Sequence, residues 1–133
     1  MTELTMKVTT SKPYTETVAL VRDLLADAGF GILTEIDIAA TLKAKLDVDV
    51  GPQVILGACR PQLAHLALQA DPSIAALLPC NVVVRADGDG SIVEAINPQA
   101  MMGMAADAPA ALREIADEAR ARIAGALDAV KDA

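Results

Sequence analysis

Between Leu112 and Val130 the apolar residues recur at intervals of four and three: Leu112, Ala116, Ala119, Ile123, Ala126 and Val130, with Ile115 and Leu127 widening the stripe. That spacing places them on one face of a long α-helix, and such a face has to be covered. Three of the six seam positions are alanine, which bury little area each, so a free-standing coiled coil is a poor use of the pattern. The width of the stripe favours packing onto the rest of the chain.

The rest of the chain supplies a sheet. Thr5 to Thr10 alternates weakly and predicts a first strand. Pro13 suits the opening of a helix and Gly29 its end, with Val18, Val21, Leu25, Ala28 and Leu24 at helical spacing between them. Phe30 to Ile38 has period two: Phe30, Ile32, Thr34, Ile36 and Ile38 are expected on one face, and Gly31, Leu33, Glu35 and Asp37 on the other. Ala39 to Leu46 reads as a short helix, followed by a turn through Asp49, Gly51 and Pro52. Gln53 to Cys59 is the most apolar strand. Pro61 opens a helix to about Ala70, and Ser73 to Leu78 adds a helical turn before Pro79. Cys80 to Ala86 and Ser91 to Asn97 are strands joined by Asp87-Gly88-Asp89-Gly90, a hairpin signal. A Met-rich loop follows Pro98, and Asp107 and Pro109 open the last helix. The sum is an α+β domain spanning 1–133: one mainly antiparallel five-stranded sheet with the first and last helices packed against a face.

Charge and composition narrow the function. Eleven Lys and Arg against eighteen Asp and Glu give a net charge of −7, which repels nucleic acid and anionic membrane. With no Trp, one Tyr and one Phe there is no aromatic platform for bases or sugars. An apolar content of 53% excludes intrinsic disorder. The start of the chain has no basic segment followed by an apolar one, and no apolar run is long enough to span a bilayer. A soluble, cytoplasmic protein is expected, and with it two free thiols at Cys59 and Cys80.

Those cysteines are the first candidates for chemistry. Each closes or opens a strand beside a proline: Cys59 lies two residues before Pro61, and Cys80 directly after Pro79. They are expected at neighbouring sheet positions. Cys59 precedes a helix N-terminus, where free amides and the helix dipole favour thiolate, and Arg60 adds positive charge; Cys59 is therefore expected to be the more acidic thiol. The bland alternative makes both cysteines small apolar core residues. A metal site is not expected, because the cysteines are twenty-one residues apart and His65 is the single histidine. His65 shares a stripe with Gln62 and Gln69, opposite Leu63, Leu66, Ala67 and Ala70, and reads as a solvated helix residue.

Glu35 and Asp37 share a strand face, about 6.5 to 7 Å apart by strand rise. That separation suits general acid and base work, but without a sugar platform a polar strand face is the simpler reading. In an interface the two acids would meet Arg or Lys of a second subunit. Asp87-Gly88-Asp89-Gly90 opens like a calcium loop, yet Ile92 stands at the sixth position where glycine is required, so the hairpin wins. No P-loop, dinucleotide fingerprint or serine elbow occurs, and no cofactor is expected. Met101, Met102 and Met104 read as soft core closure or a greasy ligand surface.

Gly57-Ala58-Cys59-Arg60-Pro61, Leu77-Leu78-Pro79-Cys80-Asn81-Val82-Val83-Val84 and Gly29-Phe30-Gly31-Ile32-Leu33-Thr34-Glu35-Ile36-Asp37 together resemble the prokaryotic family called domain of unknown function 302. The resemblance covers nearly the whole chain; the family more often carries Asn at the position of Arg60. It implies a small β-α-β(4)-α fold, similar in architecture to TATA-binding proteins, and a homodimer. It supplies no activity. Two functions follow as expectations: a non-enzymatic homodimeric binding or accessory domain for a small-molecule or protein ligand, or a thiol-dependent enzyme or sulfur or redox carrier. Cys59 and Cys80 are the catalytic candidates; Glu35, Asp37, Arg60 and Asn81 are the binding candidates.

Overall fold

Gln53–Cys59 (β3), Cys80–Asp87 (β4) and Gly90–Ile96 (β5) pair antiparallel, and each carries a small or branched apolar residue at every second position. Val54 faces Val84 and Leu56 faces Val82 across one ladder; Val84 faces Val93 and Val82 faces Ala95 across the next. All six are buried. Thr5–Thr10 (β1) adds beside β5 and Gly31–Asp37 (β2) beside β3, giving the order β1-β5-β4-β3-β2 with every pairing antiparallel. This is a computed structural model, which describes residues 3–103 and 108–133.

The helices are Tyr14–Asp27 (α1), Ile38–Leu46 (α2), Pro61–Ala70 (α3), Pro98–Gly103 (α4) and Ala110–Asp132 (α5), with a 3-10 segment at Pro72–Leu77. α1 and α5 cover one face of the sheet. Val21 and Leu25 of α1 and Ile123, Ala126, Leu127 and Val130 of α5 join the six strand residues in one core cluster. Farther toward its N-terminus, Leu112 of α5 meets Ala67 of α3 and Ile74 in a second, smaller cluster. The whole stripe of Leu112, Ala116, Ala119, Ile123, Ala126 and Val130 is thereby buried within the chain. The α+β class and the single antiparallel sheet are as the patterning predicts.

Three local expectations need correction. The alternation of Phe30 to Ile38 is broken by a bulge. Ile32 pairs with Ala58 and Thr34 with Gly57, so Leu33 is an extra residue on β2, and it is exposed. One extra residue reverses the faces beyond it. Ile32 therefore joins the helix-covered side, Thr34 and Ile36 turn to the opposite face, and Ile38 begins α2. Residues 98–103, expected as a loop, form α4, with Asn97 Oδ1 accepting from the Gln99 amide at its start. Met104 and Asp107 lie outside the described residues. On α3 the buried positions are Leu63 and Ala67 only; Leu66 and Ala70 are exposed, as is His65.

Candidate functional site

At one end of the sheet β3 finishes beside the start of β4, and Ala58 and Cys80 there still belong to the main core cluster. Ala58 and Cys80 are register partners there, and Cys59 is one residue beyond. α3 starts at Pro61 directly after β3, and α5 packs against α3, its Leu112, Ile115, Ala116 and Ala119 lining the same pocket as the cysteines. The surfaces these helices present are small: Ala64 and Ala67 on α3, Ala116 and Ala119 on α5. Four alanines on two facing helices cannot fill the space that leucines would fill. A pocket of about 70 Å³, partly open to solvent, remains, lined also by Phe30, Leu63, Ile74 and Leu78 and by Met101 and Met102 of α4. Both cysteines and Arg60 line it.

Neither cysteine is in a disulfide; Cys80 is buried and Cys59 half-buried. The helix N-terminus does not make Cys59 acidic. Burial pushes its thiol above the ordinary value, and burial together with the neighbouring Cys59 pushes Cys80 up to about 11. Cys59 remains the less perturbed of the two, but the expected thiolate is replaced by two neutral thiols at pH 7. The cause is the apolar wall, which penalises the charged form more than the start of α3 favours it.

Arg60 is the one charged side chain among the described residues lining the cavity. It is 19% exposed. Its Nη1 donates to Gln62 Oε1 at 3.0 Å. Its Nε is buried and has no hydrogen-bond acceptor among the described residues. The nearest carboxylate oxygen, Glu118 Oε2, is 3.7 Å away and already accepts from Arg122 Nε at 3.1 Å. Gly29 makes room for this guanidinium. It holds φ +92°, and a Cβ there would stand 3.0 Å from Arg60 Nη1.

The other predicted residues lie elsewhere. Glu35 and Asp37 share a face, as expected, but each has a structural partner. Arg22 of α1 donates to Glu35 at 3.1 Å, and Asp37 caps α2 by accepting from the Ala40 amide at 2.9 Å. Both carboxylates also lie near Tyr14, whose hydroxyl is raised by burial and then by the charges of Asp37 and Glu35. Asn81 is exposed on the sheet face away from the cavity, beside Val83 and Arg85. Cys59, Cys80 and Arg60 are thus brought together, and Glu35, Asp37 and Asn81 are not among them. Sequence reasoning missed the wall made by α3 and α5. Its one available signal was the alanines, which read equally well as an ordinary helix seam.

The architecture is that of a small α+β domain built on one five-stranded antiparallel sheet. The chain belongs to the family described as Domain of unknown function DUF302, whose model matches residues 6–130. It is similar to a crystal structure of an uncharacterized conserved DUF302 protein from Bacillus stearothermophilus, with 30% sequence identity and a TM-score of 0.87, covering 96% of this chain and 98% of that one. No curated protein matches the chain.

Proposed function

We propose that this protein is a non-enzymatic, homodimeric binding domain that takes a small apolar group into the cavity at the end of the sheet. The observation that carries the reading is the cavity itself, bounded by carbon and sulfur on nearly every side. Apolar walls of this kind favour an apolar guest over water; an enclosed apolar cavity of about 150 Å³ takes benzene. Its thiols are neutral at pH 7 and no carboxylate or imidazole lines it among the described residues, which suits holding a ligand better than transforming one. Nondenaturing mass spectrometry of gently purified protein tests this. A retained small mass is expected on the wild type and is lost from Ala67→Leu, in which the added carbons occupy the cavity. Retention of the same mass by the folded variant would contradict the reading.

Self-association is supported by a stretch of exposed apolar side chains. Leu33, Ile36, Leu46, Val48 and Val50 are all exposed and all fall between β2 and the turn after α2. β2 is also an edge strand with one side unpaired. Exposed apolar groups concentrated in this way suit a partner surface. Light scattering should give twice 13.7 kDa. A monomer at all concentrations would refute the dimer and leave the cavity reading intact.

A thiol-dependent carrier is the second reading, favoured by the one-residue offset between Cys59 and Cys80 across β3 and β4. It requires Cys59 to be alkylated at pH 7 faster than an ordinary free thiol.

A further inference from the structure

We propose that the second copy in the homodimer lies over the uncovered face of the sheet, each copy laying residues 31–50 across the outward side chains of the other. The inference rests on the dimer reading and adds the surface that the exposed apolar segment meets. Two bare surfaces of one chain carry it. None of residues 31–50 is buried, the whole of α2 included, and Leu33, Ile36, Leu46, Val48 and Val50 are exposed. The other bare surface is the sheet face that α1 and α5 leave open. Ile36, Ile55 and Val83 are register partners in one row across β2, β3 and β4, and Ile92 stands in the next row, paired with Arg85. Ile55, Val83 and Ile92 are only half-buried. Ile36 belongs to both surfaces and makes them continuous.

A sheet with one open apolar face and a helix with no buried residue complete each other in a layered domain. Within one chain α2 packs on β2 and β3, which leaves Val83 of β4 and Ile92 of β5 to a second copy. Charge selects that copy as the occupant. In the middle of the open face Lys7 and Arg85 stand beside one carboxylate, Glu94, with Asp87 apart at the hairpin turn. In residues 31–50 the reverse holds: Glu35, Asp37, Asp47 and Asp49 stand against Lys43 and Lys45, and Asp47 and Asp49 share the ammonium of Lys43. A two-fold contact brings each surplus onto the other twice over. A basic partner would suit the acidic turn and oppose the sheet; an acidic partner would do the opposite. Pairing of β2 with β2 across the two-fold is disfavoured, because the Leu33 bulge leaves only Thr34 to Asp37 as regular edge before α2 begins.

The test is methyl NMR of an equimolar mixture of isotope-labelled and unlabelled full chain, at a concentration where light scattering gives the dimer. Intermolecular NOEs are expected between methyl groups of Leu46, Val48 or Val50 in one copy and those of Ile55, Val83 or Ile92 in the other. Val83→Lys, on the open face, should raise the dimer dissociation constant about tenfold or more, the size of one lost anchor contact. Leu66→Lys, at an exposed apolar position on α3, should leave the constant unchanged. The NOEs keep the test decisive where Val83→Lys does not fold. Intermolecular NOEs that join residues 31–50 only to residues 31–50, or a folded Val83→Lys that dimerises like the wild type, overturn this placement while the dimer reading stands. A wild type that stays monomeric removes both.

Discussion

The two apolar clusters of this molecule share one helix, α5, and use it in opposite ways. Toward its C-terminal end Ile123, Leu127 and Val130 press against Leu25, Leu56, Val82 and Val84, and every one of these side chains is at most 2% exposed. Toward its N-terminal end the same stripe offers Ala116 and Ala119 to Ala64 and Ala67 of α3, and a cavity remains between them. Branched residues interlock and fill; alanines opposite alanines cannot. Stability is therefore concentrated at one end of the sheet and room at the other. Among the described residues the one buried side-chain donor of the lining without an acceptor, Arg60 Nε, belongs to the roomy end.

Removing volume should separate the ends most sharply. Leu56→Ala, at a position of 0% exposure, is expected to cost about 3 to 5 kcal/mol by denaturant unfolding. Adding volume sharpens the contrast. Ala95→Leu, at 1% exposure in the main core, should cost about 1 to 3 kcal/mol through overpacking, whereas Ala67→Leu should change stability by less than about 1 kcal/mol because space is waiting. Equal costs for the two alanine variants would erase the distinction between the clusters.

The thiols give a pH signature of the roomy end. Their folded-state values lie above the ordinary 9.0, so the folded protein holds these protons more tightly than the unfolded chain. Their contribution to stability is complete below the ordinary value and is lost as pH rises toward about 11. Unfolding at pH 8 and pH 10.5 should show this alkaline loss in the wild type and less of it in Cys80→Ser. Alkylation should follow the same order, with Cys59 modified before Cys80 as pH rises. A smaller effect of the opposite sign belongs to the uncovered sheet face. Glu94 accepts from Thr5 at 2.6 Å and from Arg85 at 2.9 Å, and these bonds, Thr5 first, hold its carboxyl below the usual range. Its stabilisation is present above the unfolded carboxyl value of about 4.3 and fades as pH falls through the depressed one. Glu94→Gln should flatten that acid limb, by on the order of 0.5 kcal/mol for so partly exposed a group.

Much of the first end was legible in the residues. The stripe of α5, the hairpin between β4 and β5 and the alternation of β3 each depend on local periodicity, and each is found where it is written. β2 was harder, because a bulge at Leu33 inserts one residue without any glycine or proline to announce it, and the faces of Thr34 and Ile36 reverse. α4 was hidden because Pro98 is as good a first helical residue as it is a loop residue. The site was legible only in part. The proximity of Cys59 and Cys80 follows from strand ends flanked by proline, but their acidity depends on desolvation by distant segments. The cavity depends on which alanines face which, a property of two helices brought together by the sheet.

The central claim, that the alanine-lined end is a site and the leucine- and valine-lined end is not, is open to one direct measurement. Methyl NMR of the full chain with added 1-butanol reads both ends in the same sample. Saturable shifts are predicted for the methyl groups of Leu63, Ile74, Met101 and Leu112, with Leu25, Leu56, Val82 and Val84 unmoved. Shifts spread equally over both sets, or confined to the second, would contradict it.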